Sequence, residues 1–80
     1  MLDEKTKELI AVGATITANC QSCLEYHADK AAECGATPAE IQAAVAVGRE
    51  VRIGSGTKMD GFAAKCTGAS VAASGCGCAA

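Results

Sequence analysis

Valine and isoleucine in this chain occur singly at helical spacing rather than in alternating runs, a pattern that gives no strand signal. Residues 3–18 are predicted to form a first helix, with Asp3 and Glu4 at its start and Leu9, Val12 (or Gly13) and Ile16 on one buried stripe. Thr15 and Thr17 lower its propensity without breaking it. A second helix is expected from Asn19 to Cys34, capped by Asn19 and stopped by Gly35. Its inward positions would be Leu24, Ala28, Ala31 and Ala32, and its outward ones Glu25, Asp29, Lys30 and Glu33.

Thr37-Pro38-Ala39-Glu40 marks the next boundary: a threonine cap, proline at the first helical position and glutamate three residues on make a capping box. The third helix that follows has Ile41, Ala44, Val45, Gly48 and Arg52 on one face and Val47 and Val51 on another, which suits packing on two sides in an assembly. Gly54-Ser55-Gly56 is expected to end it. Met59 to Cys66 would form a short fourth helix, and Thr67 to Ala80 a mobile Gly/Ala/Ser-rich tail, helical at most around Ala69 to Ala73. The expected organisation is therefore all-α: a helical core over 1–57, then the short helix and tail over 58–80.

Composition narrows the function. Half of the 80 residues are apolar, but alanine is the largest share of that half, and Tyr26 and Phe62 are the sole aromatics. So short a chain with such small side chains buries little area, and a homo-oligomer is expected. A net charge of −2 with scattered lysines and arginines offers no basic patch for nucleic acid. No apolar run approaches the roughly 20 residues of a membrane span, and the acidic start Met1-Leu2-Asp3-Glu4 is unlike a signal peptide, so the reading is cytoplasmic. Six cysteines in that setting point to reactive or metal-binding thiols rather than to a disulfide framework.

The chemistry concentrates in Asn19-Cys20-Gln21-Ser22-Cys23-Leu24-Glu25-Tyr26-His27. At about 100° per residue, Cys20, Cys23 and His27 fall within a helical sector of roughly 60°. A helix N-terminus favours thiolate at Cys20, and His27, the i+4 neighbour of Cys23, is placed to take its proton. Glu8 lies eleven residues before the expected turn near Asn19 and His27 eight after it, an offset of about one helical turn in an antiparallel hairpin. Glu8 is thus in reach of the His27 ring.

Glu8, the Cys20-Gln21-Ser22-Cys23 motif, His27, Gly35, Glu40-Ile41 and the Val45-Ala46-Val47-Gly48 run together resemble the core of the alkylhydroperoxidase AhpD-like branch of the carboxymuconolactone decarboxylase family, over roughly residues 2–57. The resemblance implies an all-helical fold, trimers or hexamers, and thiol-dependent peroxide reduction. Cys20 and Cys23 match the redox pair, His27 the proton-relay histidine and Glu8 the relay glutamate. Ser22 stands where members with well-developed peroxidase machinery often carry a second histidine.

On this reading the chain is a thiol-disulfide oxidoreductase with peroxide as substrate and no cofactor or resident metal. Cys23 attacks, Cys20 resolves, and an external dithiol, thioredoxin-like or lipoyl, restores the pair. The reverse order, with Cys20 as nucleophile, stays open. The competing class is a zinc protein using Cys20, Cys23 and tail cysteines; Cys20 and His27, ~10 Å apart along a helix, do not suit one ion. Cys76-Gly77-Cys78 is a candidate electron shuttle to the disulfide, and Cys34 a small buried packing residue. Tyr26, Met59 and Phe62 are expected in the core or at subunit contacts.

Overall fold

A computed structural model of the single chain describes residues 1–68. Three helices make up the fold: α1 (Glu4–Ala18), α2 (Gln21–Glu33) and α3 (Pro38–Thr67). The helix α1 packs against both of the others, whereas α2 and α3 scarcely touch. The fold is all-α, an antiparallel hairpin with a long third helix laid across its first arm.

Each boundary has a local cause. Asp3 caps α1, its carboxylate accepting from the Thr6 N–H at 2.7 Å. At the far end the Asn19 N–H bonds to Ile16 O (3.2 Å) and the Cys20 N–H to Thr15 O (3.0 Å), the crossed pair that closes a helix through a left-handed residue. The same pair recurs after α2, from Gly35 to Ala32 O and from Ala36 to Ala31 O, with Gly35 at φ 100°. Gly35 is the expected stop. At α3 both arms of the capping box are present, Glu40 N–H to Thr37 Oγ1 at 3.1 Å and Thr37 N–H to Glu40 Oε1 at 2.9 Å.

Two boundaries differ from the sequence reading. Asn19 does not cap α2; it ends α1 in the left-handed region (φ 58°), and Cys20 is the N-cap of α2. Only two residues separate the helices, so one must reverse the chain, and asparagine tolerates that conformation better than most residues other than glycine. Nor does α3 stop at Gly54-Ser55-Gly56. Neither glycine takes a positive φ, the Thr57 hydroxyl bonds to Ile53 O at 3.0 Å, and the helix runs on through the segment expected as a fourth. A glycine costs a helix ~1 kcal/mol, but no turn chemistry here draws the chain away. The expected tail beyond Gly68, with Cys76-Gly77-Cys78, lies outside the described residues.

The core is small: Val12, Ala31 and Ala36 are buried, with Leu9, Leu24, Ile41, Ala44 and Val45 packed around them. On α1 the most buried positions are Glu8, Val12 and Thr15, not Leu9, Val12 and Ile16, because two neighbouring helices cover the strip between their lines of contact. The Thr15 hydroxyl is satisfied on Val12 O at 2.7 Å. Helices α1 and α3 meet at Gly48, where an added Cβ would lie 2.4 Å from Gly13 O and 2.8 Å from Ile16 Cβ. Ala32 and Cys34 are exposed, so Cys34 is no packing residue in this chain, and Lys30 is half-buried rather than outward. Tyr26, Met59 and Phe62 are also exposed; they add nothing to the core of the single chain.

Candidate active site

The short link between α1 and α2 determines the site. Because Asn19 reverses the chain, Cys20 sits at the N-cap in extended backbone (φ −103°, ψ 102°) and Cys23 in the first turn of α2. Their Cα atoms are 5.3 Å apart, within the range a disulfide spans, and the two sulfurs are joined. The first-turn N–H groups of α2 lack helical partners, and the helix dipole favours negative charge there. A thiolate released at this end on reduction is therefore stabilised by backbone alone. Cys20 makes no capping bond in the oxidised form; Ser22 Oγ lies 4.0 Å from its sulfur, close enough to donate weakly to a sulfur lone pair.

One turn along α2, His27 Nδ1 is 2.6 Å from Glu8 Oε1. Helical side chains lean toward the N-terminus, so a residue at i+4 covers the turn holding residue i, here His27 over Cys23. Glu8 is almost fully enclosed and His27 about a third exposed. An ionised carboxylate can only accept, so the proton between them belongs to Nδ1–H and the Nε2 lone pair is left facing away as a base. Tyr26 stands edge-on to the His27 ring, centroids 4.9 Å apart and planes at 83°.

The structure thus joins these residues in two pairs, Cys20 with Cys23 at the start of α2 and Glu8 with His27 about one turn further along it. Cys20 lines two adjoining clefts, which also share Asn19, Gln21 and Leu24, and Cys23 lines neither, although both cysteines are half-buried. One cleft, of about 850 Å³, is bounded by Gln21, Ser22, Glu25 and Asp29. The other, about 210 Å³, lies against Thr15, Ile16, Leu24 and Arg52.

Arg52 has no site role in the sequence reading. Its Nη1 donates to Asn19 Oδ1 (2.8 Å) and to Ile16 O (3.2 Å), so a cation from α3 caps the C-terminus of α1, whose own last turn holds no basic residue. The available signal was a basic residue four positions after Gly48 on the inward face of α3. Asn19 serves likewise, as the hinge of the link rather than the cap of α2. Among the described residues no three His, Cys, Asp or Glu side chains form a group able to hold a metal ion. No helix of the described residues is long and apolar enough to cross a membrane.

Comparison with known proteins follows the same lines. Residues 1–64 match the profile of the carboxymuconolactone decarboxylase family. A Paracoccus denitrificans protein described as "Uncharacterized protein 4 in cox locus" is 41% identical over 54 residues, 68% of this chain and 49% of that protein. An uncharacterized protein of Haemophilus influenzae is 48% identical over 31 residues, 39% of this chain and 27% of its own length. This chain therefore spans about half of one curated relative and about a quarter of the other. No solved structure matches it significantly. With four fifths of its length inside the family profile, the chain belongs to the carboxymuconolactone decarboxylase family, and its CxxC disulfide is consistent with redox activity.

Proposed function

We propose that the chain is a dithiol oxidoreductase that reduces peroxides by cycling Cys20 and Cys23 between thiol and disulfide. The observation that carries this reading is the 2.6 Å contact between Glu8 and His27, one helical turn beyond the Cys20–Cys23 pair. A buried carboxylate holding the ring by Nδ1 supplies a base above Cys23, and a base is what a thiol needs to become a nucleophile.

In the reduced protein, His27 Nε2 takes the proton of Cys23. The thiolate attacks one peroxide oxygen and the O–O bond breaks. Cys23 becomes a sulfenic acid, and the departing alkoxide takes the proton from the His27 imidazolium and leaves as alcohol. Cys20 then displaces water from the sulfenic sulfur, forming the disulfide. An external dithiol returns two electrons by exchange, attacking Cys20, the sulfur that lines both clefts. Cys23 leaves as thiolate and Cys20 is released when the dithiol closes on itself. Glu8 is a positioning residue throughout; it touches the base and not the peroxide.

The test uses the full chain with Cys20→Ser and Cys23→Ser, each reduced and then mixed with hydrogen peroxide or an alkyl hydroperoxide. Mass spectrometry should find a trapped sulfenic acid at Cys23 in the Cys20→Ser protein. Peroxide consumption by the Cys23→Ser protein should be close to background. A Cys23→Ser protein that reacts at the wild-type rate reverses the order of the two cysteines; a wild-type protein inert to every oxidant removes the function.

The assembly belongs to the same proposal. At 30 residues α3 is ~45 Å long, twice α1, so its distal half has no partner in its own chain. That half exposes Met59 and Phe62, within a sector of roughly 120° that also holds Val47 and Val51, and a lone helix with three glycines is marginal in water. A second copy of the chain covers this stripe, in a homo-oligomer of the trimeric or hexameric kind the family resemblance implies. Sedimentation shows it, and a monomer at micromolar concentration excludes it.

A further inference from the structure

Cys20 lines two adjoining clefts whose charged residues differ in sign. The larger one is bordered by Glu25 and Asp29, and the smaller has Arg52 beside walls made by Thr15, Ile16 and Leu24. Arg52 spends one terminal nitrogen, Nη1, on Asn19 and Ile16. No carboxylate of the described residues pairs with it. A guanidinium has five donors in a planar fork that matches a carboxylate, and here the remaining donors stand beside the cleft that leads to the accessible sulfur.

We propose that Arg52 selects the reductant: a small dithiol carrying a carboxylate enters the cleft of about 210 Å³, pairs its carboxylate with Arg52 and delivers a thiolate to Cys20. This rests on the dithiol reading above and names the substrate class for its reductive half. The apolar walls take an aliphatic chain. Glu25 and Asp29 repel an anion from the adjoining cleft, which favours the carboxylate beside Arg52.

Electrons and atoms balance as ordinary exchange. The reductant thiolate forms a bond to Cys20 Sγ while the Cys20–Cys23 bond breaks, and the electron pair leaves on Cys23, which is protonated. A second thiolate of the reductant then displaces Cys20, giving the oxidised reductant and the protein dithiol. Two electrons pass in all.

The test compares dihydrolipoate with dihydrolipoamide as reductants of the oxidised full chain; their thiols are the same and only the terminal carboxylate differs. Net repulsion from a chain of charge −2 works against the anion, so a preference for it has to come from a local cation. The expected result is reduction faster by dihydrolipoate by about twofold to fivefold at low salt, the range of an exposed ion pair. The ratio should collapse toward one near 1 M salt, where the screening length is ~3 Å. In the Arg52→Gln protein the ratio should be about one at every salt concentration, whatever that change does to the absolute rates. Arg52→Lys keeps the charge without the fork and should keep part of the ratio. A wild-type ratio of one with both thiols reactive, or a ratio that survives in Arg52→Gln, overturns the role of Arg52 and leaves the dithiol reading standing. Failure of both thiols to reduce the disulfide overturns the dithiol reading itself.

Discussion

Replacing Glu8 with Gln changes one atom of the hydrogen bond that organises the site. In the native chain Oε1 accepts from His27 Nδ1 at 2.6 Å, inside the α1–α2 contact. Glutamine keeps the shape and loses the charge. The cost to stability is the difference between a charge-assisted and a neutral hydrogen bond, about 1 kcal/mol. The larger effect is chemical. The amide presents either its oxygen to Nδ1–H, without a charge to steady the imidazolium, or its NH2 group, which moves the ring proton to Nε2 and removes the base proposed to serve Cys23. General-base help of this kind is worth about 10²- to 10⁴-fold, and His27→Gln loses all of it. Glu8→Gln, with the ring still in place, should lose roughly 10- to 100-fold in the rate of peroxide-driven disulfide formation at neutral pH. Stopped-flow mixing with product mass gives this rate, and iodoacetamide capture of Cys23 in a Cys20→Ser background gives the nucleophile alone. The deficit should shrink above pH ~9, where thiols ionise unaided. That recovery separates a relay from a merely structural contact, which would be lost equally at every pH. Glu8→Gln reacting like wild type from pH 6 to 9 while His27→Gln fails would refute the relay and reduce Glu8 to a tie between two helices.

The remaining predictions concern what holds the site in place. Gly48→Ala should lower stability by about 1–3 kcal/mol, since its Cβ would lie 2.4 Å from Gly13 O and the helices must part; Gly56→Ala, with nothing within 4 Å, should raise helicity by about 1 kcal/mol of propensity. Thermal unfolding followed by circular dichroism reads both, and equal signs would contradict the close approach of α1 and α3. Asn19→Ala should cost about 1–2 kcal/mol through the left-handed backbone at φ 58°, and Asn19→Gly less, because glycine forfeits the Arg52 contact but not the turn. The Glu40 carboxyl is held below its ordinary value by the Thr37 N–H and then by Lys5. Its stabilising effect is complete above the ordinary carboxylate range and is lost as pH falls through the lower folded value, so Glu40→Gln should flatten the acid limb of the stability curve.

How much of this was legible beforehand follows from what each residue answers to. The capping box, Gly35, the helix hairpin and the register that brings Glu8 to His27 depend on chemistry within a few residues or on counting turns, and the sequence reading reaches all of them. The misplacement of Asn19 has the same origin: asparagine caps either end of a helix, and only the two-residue spacing to α2, a tertiary constraint, decides between Ala18 behind it and Gln21 ahead. Gly54-Ser55-Gly56 misled because glycine raises the cost of a helix without dictating where the chain goes instead; a stop also needs a left-handed residue whose N–H groups turn back, as at Gly35 and not here. Burial on α1 shifts from Leu9 and Ile16 to Glu8 and Thr15 because α1 lies between two helices, and a search for apolar periodicity passes over a strip whose centre is partly polar. Arg52 was hidden for the opposite reason: its partners, Ile16 and Asn19, are 36 and 33 residues away, and no local pattern encodes a cation that caps another helix. The two residues missed, Asn19 as hinge and Arg52 as clamp, bond to each other beside Cys20. They set the position of the disulfide through tertiary contact, while the residues proposed to do the chemistry lie on the first two turns of α2, with Glu8 facing them from α1.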